Sequence, residues 1–189
     1  MKRMRLVFAL VLLATHPAIP QQPQVASGPG LQETAKWIVN NLAHSGGKYD
    51  AGETPYEDTD VQISINECVL RYTVHRKMWV GAEGVNRHVA IWTDSVAIPL
   101  GTANALLNDT LSVPAIRLVV PTQSIVENVG NTNSSGSFMS GQHALSDWRI
   151  AFGQEGQDNT DLANRMVKAL THARDLCKTS YNPHPGEPF

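Results

Sequence analysis

The stretch Val61-Gln62-Ile63-Ser64-Ile65-Asn66-Glu67-Cys68-Val69-Leu70-Arg71-Tyr72-Thr73-Val74 decides the fold class. Val61, Ile63 and Ile65 alternate with Gln62, Ser64 and Asn66, and Cys68, Leu70, Tyr72 and Val74 alternate with Val69, Arg71 and Thr73. Successive side chains of a strand leave opposite faces of the backbone, so period-two alternation marks a strand with one face buried. Asn66-Glu67 between the two runs is short enough for a tight turn, and Asn tolerates the left-handed conformation such turns need. The stretch reads as a β-hairpin with Cys68, Leu70, Tyr72 and Val74 facing inward.

Further strands are predicted over 78–82, 88–93, 95–100, 115–121, 124–129 and 145–152. Pro99 and Pro121 suit strand ends or sheet edges, because proline cannot donate to a ladder. Residues 48–58 are polar and read as irregular, 101–113 as a connection, and the Gly-, Ser- and Asn-rich 130–141 as a mobile loop. Leu31, Ala35, Ile38 and Leu42 recur at the helical period and predict a helix that stops at Gly46 and Gly47. Leu162, Met166, Leu170, Ala173 and Cys177 line one face of a second helix, with Asp158 or Asn159 as its cap. The order is helix, about seven antiparallel strands, helix. It predicts an α+β fold, an antiparallel β-barrel or strongly curled sheet with a closing C-terminal helix over its open end.

The N-terminus has a different character. Lys2, Arg3 and Arg5 precede the apolar run Leu6–Ala14, and Pro17 and Pro20 follow it. This is the layout of a secretory signal peptide, and the run is well short of the roughly 20 residues that span a bilayer. Small residues at Val25-Ala26-Ser27, or at Ala18, suit cleavage. The chain divides into a signal peptide (1–27), a single globular domain (28–180) and an extended, proline-containing tail (181–189), with no integral membrane segment after cleavage. Export permits a disulfide between Cys68 and Cys177, against the alternative of two buried thiols.

Composition bounds the function. Hydrophobic residues at 42% and charged residues at 17% suit a packed core rather than disorder. A net charge of −2 argues against a nucleic-acid partner, which calls for a basic excess.

The helix from Leu162 to Cys177, with its Ala-x-Arg start and Leu176-Cys177 end, and the ending Glu187-Pro188-Phe189 resemble a group of small exported bacterial proteins. An early helix, here Leu31 to Leu42, and an apolar Cys-containing strand, here Cys68-Val69-Leu70, complete the likeness. It covers both ends of the mature chain and one strand. The resemblance implies a pleckstrin-homology-like barrel capped by its C-terminal helix, and implies no activity and no catalytic residues.

Candidate chemistry is sparse. Arg71, His75, Arg76, Lys77 and Arg87, with His88, form a cationic hairpin suited to a phosphate or carboxylate. Lipid-binding pleckstrin domains carry a Lys and an Arg-x-Arg there; this chain has Lys77 and Arg87 without the Arg-x-Arg. The plain alternative is a solvated hairpin whose charges keep strands apart. There is no Gly-x-Ser-x-Gly elbow, and Ser140, His143, Ser146 and Asp147 form only a loose polar patch. Asp50, Glu53, Glu57, Asp58 and Asp60 read as a solvated acidic loop, no spacing fits a metal, and no cofactor fingerprint occurs. The expectation is a non-enzymatic, exported envelope module that binds another envelope protein or a small anionic ligand. The alternative is a small exported hydrolase with a dispersed Ser/His/Asp site.

Overall fold

The computed structural model describes residues 29–80, 88–131, 141–153 and 159–180. The expected signal peptide, Arg87, the centre of the 130–141 loop and the C-terminal tail lie outside the described residues. In chain order the elements are α1 (Leu31–Leu42), β1 (Gly46–Ala51), β2 (Thr54–Asn66), β3 (Val69–Val80) and β4 (His88–Pro99). A single 3-10 turn (Leu100–Thr102) leads to β5 (Asn104–Asn108), β6 (Ala115–Val119), β7 (Ile125–Asn131), β8 (Gly141–Leu145), β9 (Asp147–Gly153) and α2 (Thr160–Ser180).

The deciding hairpin is β2–β3, paired from Asn66↔Val69 back to Tyr56↔Met78. Its turn is one residue later than expected. Glu67 (φ 49°) and Cys68 (φ 60°) are both left-handed, which is the backbone of a type I′ turn. Cys68 therefore occupies the turn, not the inward face of the strand. The pairing slips by one residue between Thr59 and Gln62, where Asp60 is also left-handed (φ 53°), so a β-bulge bends the hairpin. The bulge lets Val61, Ile63 and Ile65 pack on the core from one side of it and Asp58 point inward from the other.

The fold is α+β, with two helices and one mostly antiparallel sheet, ordered β5-β6-β9-β1-β2-β3-β4-β7-β8. It has nine strands among the described residues where about seven were expected, and its hydrogen-bonded ladder is open. Two strands come from segments read as irregular: β1 lies within 46–51 and β5 within 104–108, and β2 reaches back to Thr54. The expected pairs of short strands over 69–82 and 88–100 are two long ones, β3 and β4. The sheet curls strongly. β8 is its last strand and β9 its third, yet only Ser146 separates them in the chain. Among the described residues the sole parallel contact joins β1 to β9 at Gly46↔Phe152 and Gly47↔Gly153. The β1 and β9 backbones approach so closely there that a Cβ on Gly153 would overlap the Lys48 carbonyl, and on its other side β1 lies so close to β2 that a Cβ on Gly46 would be 2.8 Å from the Asp58 carbonyl.

The core fills the curl. Leu70, Tyr72 and Val74 of β3, Val96 and Ile98 of β4, Ile116 and Leu118 of β6, and Ile150 and Phe152 of β9 are buried together. Ile38 and Leu42 of α1 join them, as do Ala163, Met166, Leu170, Ala173 and Cys177 of α2, at the three-and-four spacing of one helical face. Burying each large aliphatic side chain contributes about 1.5–3 kcal/mol. The Asn159 side chain donates to the Phe152 carbonyl (3.0 Å), tying the start of α2 to β9. Cys68 and Cys177 are bonded, with Cα atoms 5.7 Å apart, so a disulfide pins the last turn of α2 to the β2–β3 turn. No helix among the described residues is long and apolar enough to cross a membrane.

Candidate functional site

Along β3 the inward positions are Leu70, Tyr72, Val74 and Arg76, by the period of two. The first three belong to the apolar core, and at Arg76 the interior becomes charged. Arg76 grips Asp58 of β2 with two parallel bonds, Nε to Oδ1 (2.8 Å) and Nη2 to Oδ2 (2.9 Å). Its Nη1 donates to Asp94 Oδ2 on β4 (2.9 Å). The side chains of both acids are only 2% exposed. The Tyr49 hydroxyl of β1 donates to Asp58 Oδ2 (3.1 Å), and the guanidinium lies 5.2 Å from the centroid of the Trp148 ring of β9. Fork-shaped pairing and stacking on an aromatic face are both guanidinium geometries that a lysine cannot reproduce.

Two carboxylates share one cation, so the cluster is formally short of positive charge. Glu127 of β7 sits opposite Val96 and so on the same inner face, adding a further carboxylate nearby. The shortage falls on Asp94. Burial raises its pKa most, Arg76 lowers it and Glu127 raises it again, to about 6. Burial works against the charged form of Arg76, but its bonds to the Asp58 carboxylate outweigh this and the pKa moves up. Burial also pushes the Tyr49 and Tyr72 hydroxyls above their ordinary value, so both stay neutral.

A cleft of about 370 Å³ opens on this cluster. Tyr49, Tyr56, Arg76, Trp148 and Arg149 supply its aromatic and cationic walls, Leu111 and Leu145 its apolar ones, and Asp147, paired with Arg117, a carboxylate. Tyr49 and Tyr56 are stacked, 5.4 Å between centroids and 8° between planes, so that wall is flat and rigid. Trp148 is 6% exposed and its indole N–H has no hydrogen-bond partner. A larger groove, about 700 Å³, lies beside the disulfide between Cys68, Val69, Pro99, Gly101 and Lys178. Its polar residues, Glu67, Thr102 and Lys178, are exposed rather than buried.

The cationic hairpin is divided by strand parity. Arg71, His75 and Lys77 lie on the outer face of β3, where Arg71 is exposed, His75 is 3.5 Å from the Thr93 hydroxyl and Lys77 pairs with Glu57 at 3.3 Å. Of these four β3 residues, Arg76 alone turns inward. Asp58, read as part of an acidic loop, is the buried partner of Arg76, while Asp94, Tyr49 and Trp148 carried no sequence expectation of a site. Parity would have found Asp94, which lies between Trp92 and Val96 in β4, and would have turned Arg76 inward, since it continues Leu70-x-Tyr72-x-Val74.

Of the loose Ser/His/Asp patch, Ser140 lies outside the described residues. His143 stands opposite Glu127 on β7, Ser146 is exposed between strands, and Asp147 pairs with Arg117. Among the described residues no group of three or more His, Cys, Asp or Glu side chains is placed to hold a metal. Compared with protein-family models, with curated proteins and with solved structures, the chain matches none.

Proposed function

We propose that this chain is an exported, non-catalytic binding module of the cell envelope and that its ligand site is the cleft beside Arg76. The observation that carries the reading is the cleft's wall: an arginine fixed by two buried carboxylates, flanked by Trp148 and a stacked tyrosine pair. Such a pocket, with aromatic and aliphatic walls around a few fixed charged groups, suits recognition of a small ligand. Arg76 and Arg149 favour an anionic one. The curl from β9 round to β8, with α2 packed over the core, supports a pleckstrin-homology-like barrel, a fold that by itself assigns no function. The disulfide suits an oxidising compartment.

The reading is tested by NMR titration of the mature protein with a panel of small organic anions. Shifts should centre on Tyr49, Tyr56, Trp148 and Arg149, and Arg149→Ala and Tyr56→Ala should weaken binding while leaving the melting temperature near that of the parent. Ligands that map instead to Arg71, His75 and Lys77 would place the site on the outer face.

A further inference from the structure

The cleft faces a cation that is already engaged. Three of the five N–H donors of Arg76 meet carboxylate oxygens, two on Asp58 and one on Asp94. The two partners are not equivalent. Asp58 has both oxygens on the guanidinium and also accepts from Tyr49, whereas Asp94 offers Arg76 a single bond. The charged and titratable groups around Asp94 are Arg76 from β3, Asp58 from β2 and Glu127 from β7, with a Trp92 hydrogen bond from its own strand. One cation therefore balances a surplus of carboxylates, and the least firmly held of the two on Arg76 is Asp94.

We propose that Asp94 is a proton gate on the cleft: on taking up a proton it releases Nη1 of Arg76 to a ligand carboxylate, so the protein binds an apolar-bodied carboxylate in acid and releases it at neutral pH. The inference rests on the cleft being the ligand site. With Asp94 ionised, an incoming anion meets an interior with excess negative charge and a guanidinium whose Nη1 is occupied. With Asp94 neutral, Arg76 and Asp58 balance and Nη1 turns to the ligand. The aromatic and aliphatic walls choose an anion with an apolar body over a bare inorganic one. Asp94 titrates near 6, so the gate works in a mildly acidic range.

The experiment measures benzoate binding to the mature protein by NMR over a pH series spanning about one unit either side of that value, with benzamide and sulfate as the other probes. Benzoate should perturb Trp148 and Tyr56, with an affinity falling about tenfold per pH unit above the Asp94 pKa, as for one linked proton. Benzamide should show no such dependence, and sulfate should bind more weakly than benzoate. Asp94→Asn, which mimics the protonated state, should bind benzoate at neutral pH as the parent does in acid. If benzoate binds in the cleft equally at every pH, or if Asp94→Asn leaves the pH slope unchanged, the gate is overturned and the cleft stands. If none of the probes reaches the cleft at any pH, both the gate and the proposed ligand site fail. Should Asp94→Asn not fold, the parent's slope together with the carboxyl titration of Asp94 followed by carbon NMR decides alone: a slope without a matching Asp94 titration overturns the proposal.

Discussion

The guanidinium of Arg76 stacks on the indole of Trp148, 5.2 Å from the ring centroid, although β3 and β9 are separated in the sheet by β1 and β2. Neighbouring strands lie about 4.8 Å apart, so in a flat sheet these side chains would be well out of reach. The contact exists because the sheet bends round on itself and turns both side chains into its concave face. It links the two halves of the curl through a charged group rather than an apolar one.

Trp148→Ala should remove that link together with a large buried ring, costing about 3–5 kcal/mol in urea unfolding. Trp148→Phe keeps a ring under the guanidinium and should cost less than half as much. Equal losses in the two variants would show that the stacking contributes nothing.

The two acids on Arg76 should respond in opposite ways. Asp58→Asn breaks a buried fork and leaves a charge poorly paired, at a cost of about 3–5 kcal/mol at neutral pH. Asp94 has a folded pKa near 6, above its ordinary 3.8, so the folded state binds its proton more tightly than the unfolded chain does. Its ionisation therefore subtracts stability above pH 6, and that penalty fades as the pH falls toward 4. The difference is on the order of 3 kcal/mol. Asp94→Asn should melt at or above the parent at neutral pH, with the advantage gone near pH 4. A variant less stable than the parent throughout that range would contradict the sign.

Removing the disulfide by Cys68→Ser with Cys177→Ser should destabilise the fold by about 4–5 kcal/mol. The bond closes a loop with a sequence separation of 109, and in the chain-entropy model its effect grows slowly with loop length. Chemical denaturation of the parent with and without reductant should give the same difference. Free thiols in oxidised, unfolded parent would exclude the bond.

Gly153→Ala should be strongly destabilising, because the added carbon meets the Lys48 carbonyl, a backbone atom that cannot move aside. Gly30→Ala meets no atom within 4 Å and should change the melting temperature little. Circular dichroism melts of the pair decide this, and a Gly153→Ala variant as stable as Gly30→Ala would mean that β1 and β9 are not in parallel contact.

The strands that alternate were legible, and so were both helices, because apolar residues on a fixed period report burial directly. β1 was not legible: Gly46-Gly47-Lys48-Tyr49-Asp50 has no apolar period, since glycine and tyrosine face the interior there. β5 was missed for the opposite reason. Leu106 and Leu107 are adjacent and both about half exposed, so an edge strand shows no alternation. The site was half legible. The cationic hairpin pointed to β3, but charge was read as facing solvent, and only Arg76 is buried by its partners. That pairing spans β2, β3 and β4, and no local pattern announces it.

The joining of β1 to β9 also sets a timetable. Gly46 finds its neighbour Phe152 only when nearly the whole chain is available, so the sheet cannot be completed from its N-terminal part alone. Pairings between such distant residues raise contact order, and chains of this kind fold in milliseconds to seconds rather than microseconds. During synthesis the β2–β3–β4 meander can assemble first, and its concave face waits with Arg76 exposed until β9 arrives to cover it.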